Sequence, residues 1–238
     1  MNLANVTGTL INASGILLGS LAALLLRRDL GHAFEQRIRY LVAIAAMSIG
    51  CWLLWKSTHG GLWDHLRQFL VIMAGLLAGN AIGLALGLQK SLSRVATHAS
   101  DALRKPELAN GFKVSAALFC LTPLAVLGAV MEGLSGDAWV LALKASMDTV
   151  AAYSLARSFG KGVCLSWIPV LAFQGNLSLL CRWLQDHYLN PNVTDGVMAV
   201  SGMMVFVSIV LILGVGKPRL GDYLPALGVT GVLAYWLW

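Results

Sequence analysis

Long apolar runs separated by short polar connections set the plan of this chain. Eight runs fall near residues 7–26, 38–55, 69–88, 113–131, 138–156, 163–183, 197–215 and 221–238. Each holds roughly 16–22 residues, the length a helix needs to cross a hydrocarbon core of about 30 Å. The pattern predicts an all-α, polytopic membrane protein with about eight (seven or eight) spans, one integral domain over residues 1–238. The eighth run ends Tyr235-Trp-Leu-Trp238. It reads either as a full span anchored by interfacial aromatics or as a re-entrant half-helix.

Composition agrees. Hydrophobic residues make up 58% of the 238 and charged residues 12%, with mean hydropathy +0.73. Soluble domains carry about twice that charged share. Net charge is +6, but the basic residues lie in connections between apolar runs, which suits a membrane topology rather than nucleic-acid binding. With the N-terminus outside and eight crossings, the inner connections hold Arg27, Arg28, Arg37, Arg39, Lys90, Arg94, Arg104, Lys105, Lys113, Arg157, Lys161, Lys217 and Arg219. The outer ones hold only Lys56, Arg67 and Arg182. This bias predicts that both termini lie outside. Residues 1–6 lack Lys and Arg, so no cleavable leader is expected.

The connection 89–112 reads as a cytoplasmic amphipathic helix. Leu88, Leu92, Val95, Ala99 and Leu103 recur at helical spacing among Lys90, Arg94 and Arg104, ending at Pro106 and Gly111. Residues 29–40 repeat the idea more briefly. Gly15-Ile-Leu-Leu-Gly19 and Gly75-Leu-Leu-Ala-Gly79 are GxxxG stretches in the first and third runs. Such small-residue faces suit close packing within the chain or a homo-oligomer. They also hint at an internal duplication, with halves 1–131 and 138–238.

Proline marks three runs: Pro123, Pro169 and Pro225. A proline inside an apolar run frees a carbonyl, so the helix-break residues Pro123 and Pro169 are expected to face protein or a polar cavity. The sixth run continues Gln174-Gly175-Asn176-Leu-Ser178, where a second break is expected. Outside, Glu132-Gly-Leu-Ser-Gly-Asp137 has two carboxylates and no basic neighbour in sequence. It reads as a tight turn, or as a mouth that attracts cations through Glu132 and Asp137. The histidines and cysteines match no metal-ligand spacing, and no cofactor motif occurs.

The segment Leu141–Ser154 carries Lys144 and Asp148 inside an apolar run. They lie one helical turn apart on one face. A lone charge at that depth costs on the order of 2.5–3.5 kcal/mol. Two readings follow. The pair locks helices together, or it forms a midplane site for an ion, proton or small solute. For the second reading the polar centre is Asp148, Lys144, Gln174 and Asn176, with Asn12 adding an amide.

Several stretches together resemble a bacterial inner-membrane family, domain of unknown function 554 (YqgA/YdfK-type membrane proteins). They are Gly8-Thr-Leu-Ile-Asn12, Phe119-Cys-Leu-Thr-Pro123, Gly133-Leu-Ser-Gly-Asp137, Lys144-Ala-Ser-Met-Asp148 and Pro169-Val-Leu-Ala-Phe-Gln174-Gly175. Thr122 departs from the glycine expected before the proline. The resemblance implies a multi-pass protein of the bacterial inner membrane and brings no substrate.

The leading functional expectation is therefore a transporter or channel for an ion or small solute. The alternative is a non-transporting scaffold or sensor whose basic 89–112 helix contacts lipid or a partner protein. An enzyme is not expected, because no catalytic constellation shares a common depth.

Overall fold

A computed structural model describes residues 6–26, 31–91, 106–120, 122–187, 189–216 and 218–238. The helices are α1 (Thr7–Leu26), α2 (His32–Ser57), α3 (Leu62–Leu86), α4 (Pro106–Cys120), α5 (Pro123–Ser135), α6 (Trp139–Phe159), α7 (Trp167–His187), α8 (Pro191–Ile212) and α9 (Pro225–Leu237). Short 3-10 turns, Gly160–Ser166 and Leu220–Tyr223, precede α7 and α9. No strand occurs among the described residues. The chain is an all-α polytopic membrane protein.

Helix directions follow from close approaches at glycine. Gly8 faces Ala138 and Leu141, Gly15 faces Ala145, and Gly19 faces Thr149, so α1 and α6 run in the same direction. The Thr9 methyl lies beside Gly175 of α7. The chain must therefore turn back between α6 and α7. Gly160, at φ 74, caps α6 and begins that turn. Gly75, Gly79 and Gly83 of α3 face Thr230, Ala226 and Asp222 in descending order, so α9 runs back along α3. A Cβ at Gly19 would lie 2.3 Å from the Thr149 carbonyl oxygen. Only glycine permits that helix spacing.

Five stretches are long and apolar enough to cross a membrane, or six if the bent α4–α5 pair is one span. This is fewer than the eight runs read from sequence. One of the five, Trp139–His187, contains both α6 and α7, each of 21 residues. The α9 helix has only 13 residues and reaches about 20 Å, short of a full hydrocarbon core.

Other boundaries differ as well. α2 runs unbroken from His32, so residues 32–40 belong to the same helix as the second span, Gln36–Ser57, instead of forming a separate helix. Gly111 does not end a connecting helix; it lies within α4, against the Phe159 carbonyl of α6. The amphipathic helix expected over 89–112 has its centre, 92–105, outside the described residues.

Three buried apolar clusters fill the bundle, the smallest joining α5, α7 and α8 through Val130, Leu134, Cys181 and Val197. The largest draws on α2, α3, α5, α6, α8 and α9, through residues such as Leu53, Ile72, Leu127, Val140 and Met204. The second joins α1, α4, α6 and α7 through Ile16, Phe119, Ala152 and Val170. α6 contributes to the largest and the second, and the two charges ride on it.

Candidate functional site

Lys144 and Asp148 are 2% and 7% exposed. Their spacing of four residues brings the Lys144 ammonium to Asp148 Oδ2 as an ion pair. The ammonium also faces the Phe119 ring, 5.9 Å from its centroid. Removing either partner would strand a buried charge, which costs about 3–5 kcal/mol.

The tight α1–α6 packing carries Asn12 to this pair. Asn12 is fully buried on the face of α1 that packs against α6. Its Nδ2 group donates to Gln174 Oε1 of α7 at 3.2 Å. Two buried polar pairs, Lys144–Asp148 on α6 and Asn12–Gln174 between α1 and α7, therefore lie on the packed helices α1, α6 and α7. Asn12 Oδ1 and Gln174 Nε2 have no hydrogen-bond partner. Unpaired polar atoms of this kind are uncommon in protein interiors.

On its other side the ion pair borders a cavity of about 50 Å³, whose lining includes Thr122, Leu124, Met147 and Ser208. The volume suits one or two waters or a bare monatomic ion, not an organic solute. Thr122 stands at the break between α4 and α5, which meet at 52°. It caps α5, and Pro123 occupies the first helical turn, where its missing N–H costs no helical bond. The Thr122 hydroxyl is buried and unpaired. The first turn of α5 forms the positive end of its dipole, with the Ala125 N–H donating to the Thr122 carbonyl at 2.8 Å. An unpaired hydroxyl, a helix terminus and an ion pair therefore meet at one small cavity. Sequence reasoning missed Thr122, Ser208 and Phe119. Thr122 had a signal in its place directly before a proline.

The remaining expected residues lie elsewhere. Asn176 is exposed on α7. Two residues of helix turn it about 200° from Gln174, onto the opposite face. α7 continues unbroken through Gln174-Gly175-Asn176, so the second break is absent. Pro169 is the third residue of α7, within the first turn, and interrupts no helix interior. Glu132 does not line an open mouth. α5 extends to Ser135, which buries Glu132 to 1% exposure. Its carboxylate accepts the Gly8 backbone N–H and, at 2.8 Å, the Thr9 hydroxyl. It thereby caps the N-terminus of α1, where the dipole favours an anion. Asp137 stays near the surface and pairs with Lys56 of α2 at 2.8 Å. Folding supplies the basic neighbour that the local sequence lacks.

Comparison with known proteins gives consistent matches over nearly the whole chain. Residues 7–235 match the family described as protein of unknown function (DUF554). The uncharacterized membrane protein YdfK of Bacillus subtilis is 24% identical over 228 residues, covering 96% of this chain and 95% of its own. The uncharacterized protein YqgA of Escherichia coli is 25% identical over 225 residues, covering 93% of each. No solved structure matches the chain.

Proposed function

The chain belongs to the DUF554 family of proteins of unknown function, and on that footing we propose that it is a transporter or channel for a small ion, working through the Lys144–Asp148 site. One observation carries the reading. A buried ion pair borders a small, mostly apolar cavity at a broken helix, and the Thr122 hydroxyl on that cavity has no partner. Intramembrane charges mark ion or solute pathways more often than packing alone. A break in a helix near such charges is a recurrent feature of transport sites.

The cavity volume of about 50 Å³ narrows the solute class. A proton carried by water, or a dehydrated alkali cation, fits this volume. Asp148 is the group that would hold the cation, and Lys144 is the competitor it must leave. Asn12 and Gln174 would reorganise around the carboxylate as the pair opens. The basic bias of the connections supports an orientation with both termini outside, in the cytoplasmic membrane of a bacterium. On this reading the chain catalyses no covalent chemistry.

The test is flux in reconstituted vesicles. Protons are followed with an internal pH dye, and Na⁺ and K⁺ with ion-sensitive dyes. Wild-type protein should pass at least one of them above empty vesicles. Asp148→Asn, with unchanged elution as a folded species, should lower that flux at least tenfold. Equal flux through Asp148→Asn and wild type would refute the proposal.

A further inference from the structure

The glycine faces of α1 and α3 are both taken up within the chain. Gly15 and Gly19 pack on α6, and Gly75, Gly79 and Gly83 pack on α9 and the turn before it. A contact between two copies through either helix must therefore use a different face.

α3 has such a face. Leu66, Leu70, Met73, Leu77, Asn80 and Leu84 recur at alternating steps of four and three residues. That is the spacing of a coiled-coil seam, which holds one stripe of a helix against a partner along its whole length. Leu77 is two positions from both Gly75 and Gly79, and so about 200° around the helix from each. The four leucines are 48–65% exposed, and Met73 and Asn80 are half-buried. Apolar grooves flank the Leu66 end of this ridge. One of about 530 Å³ runs along Leu233 and Leu237 of α9, and one of about 340 Å³ along Leu54 and Thr58 of α2. α3 thus stands out from its neighbours there, with room beside it for the side chains of a second helix.

Exposed leucine on a spanning helix suits lipid as well as protein, so the leucines alone decide nothing. Asn80 decides. α3 is a candidate span from Leu62 to Leu86, and Asn80 lies about 9 Å along the axis from its middle. That depth is inside a hydrocarbon core of about 30 Å. The amide carries a donor and an acceptor, and no hydrogen bond within the described residues engages either. Acyl chains offer no partner to an amide, whereas a neighbouring helix does. A chain inserts in one orientation, so α3 of two copies runs parallel and their Asn80 residues meet at one depth. Two amides related by a two-fold axis satisfy each other reciprocally, as a self-complementary interface requires.

We infer that the protein forms a two-fold dimer in the membrane through this face of α3, with the two Asn80 side chains hydrogen-bonded to each other. The interface stands whether or not the ion-pair site transports anything.

The experiment uses full-length protein in phosphatidylcholine vesicles. Energy transfer between copies labelled with donor and acceptor dyes through a C-terminal tag gives the dimer dissociation constant as lipid is added. Wild type should show transfer that falls on dilution. Asn80→Leu, which suits lipid, should raise the dissociation constant about tenfold through loss of the reciprocal hydrogen bonds. Separately, Leu77→Cys in a background of Cys51→Ser with Cys164→Ser should give a disulfide-linked dimer on mild oxidation. Leu18→Cys in the same background should not, although Leu18 of α1 is 64% exposed. If Asn80→Leu does not fold, the two cysteine variants decide. Wild type without transfer overturns the inference and leaves lipid as what covers the face. An Asn80→Leu dimer within twofold of wild type, or no disulfide from Leu77→Cys, also overturns it and assigns any dimer to another surface.

Discussion

Asn12 of α1 donates to Gln174 of α7 at 3.2 Å across 162 positions of sequence, and each amide is left with one unpaired atom in a fully buried setting. The bond ties the first helix to the seventh beside the ion pair. Interhelical hydrogen bonds in membrane proteins contribute about 0.6–2 kcal/mol. A double-mutant cycle of Asn12→Ala and Gln174→Ala should therefore give a coupling of about 1 kcal/mol, read from unfolding in mixed micelles. Repeating the cycle with Asn176→Ala in place of Gln174→Ala should give additive effects, because Asn176 points away from α1. Coupling to Asn176 would show that the helix face is assigned wrongly.

The close approach of α1 to α6 makes a second, sharper test. Gly19→Ala places a Cβ 2.3 Å from the Thr149 carbonyl oxygen, which is backbone and cannot swing aside. Overpacking of this kind costs about 1–3 kcal/mol. Gly228→Ala adds a methyl where nothing lies within 4 Å, inside α9. Alanine is the better helix former by about 1 kcal/mol, so this variant should hold or raise the melting temperature. Thermal unfolding in detergent compares the two directly.

Glu132 gives a third. Its two carboxylate oxygens accept from the first turn of α1, and hydrogen bonds to a charged group contribute about 1.5–3 kcal/mol. Glu132→Gln keeps one acceptor and turns a donor toward another donor. It should lower stability by about 1–3 kcal/mol, while Thr9→Val, which leaves the Gly8 bond, should cost about 1 kcal/mol. If external cation attraction were the role of Glu132, both variants would unfold like wild type.

What could be read in advance follows from which interactions are local. The spacing of Lys144 and Asp148 by four residues already fixes a shared helix face, so their proximity was legible, while the Lys-before-Asp order left pairing with another span open. The apolar runs gave the helical membrane class for the same reason. The errors arise where an azimuth or a boundary decides. Gln174 and Asn176 look like one cluster in the sequence, yet a helix sends them to opposite sides. Gly133-Leu-Ser-Gly136 looks like a turn, but α5 continues to Ser135 and only Gly136, at φ 73, ends it. Four residues of extra helix, 132–135, convert Glu132 from a surface charge to a buried cap. Pro169 seemed to interrupt a span because the start of α7 was placed four residues too early. The partners of Glu132 and Asp137, on α1 and α2, depend on long-range packing that no local pattern encodes.

The ion pair itself separates a structural lock from a working site. Lys144→Met leaves Asp148 buried without its cation, and a stranded charge should cost about 3–5 kcal/mol. Asp148→Leu alone strands Lys144 and should cost a similar amount. Lys144→Met with Asp148→Leu removes both charges and keeps apolar volume beside Phe119 and Met147. Replacing a buried pair by packed apolar groups is often neutral or stabilising, so the double variant should recover most of the lost stability. A pure lock predicts that recovery of folding restores every property of the protein. A working site predicts that the double variant folds like wild type and still passes no ion, because no carboxylate remains to hold a cation. Unfolding in micelles and dye-reported flux in vesicles, measured on the same preparation, distinguish the two. A double variant that is both stable and fully active would reduce Lys144 and Asp148 to a structural pair.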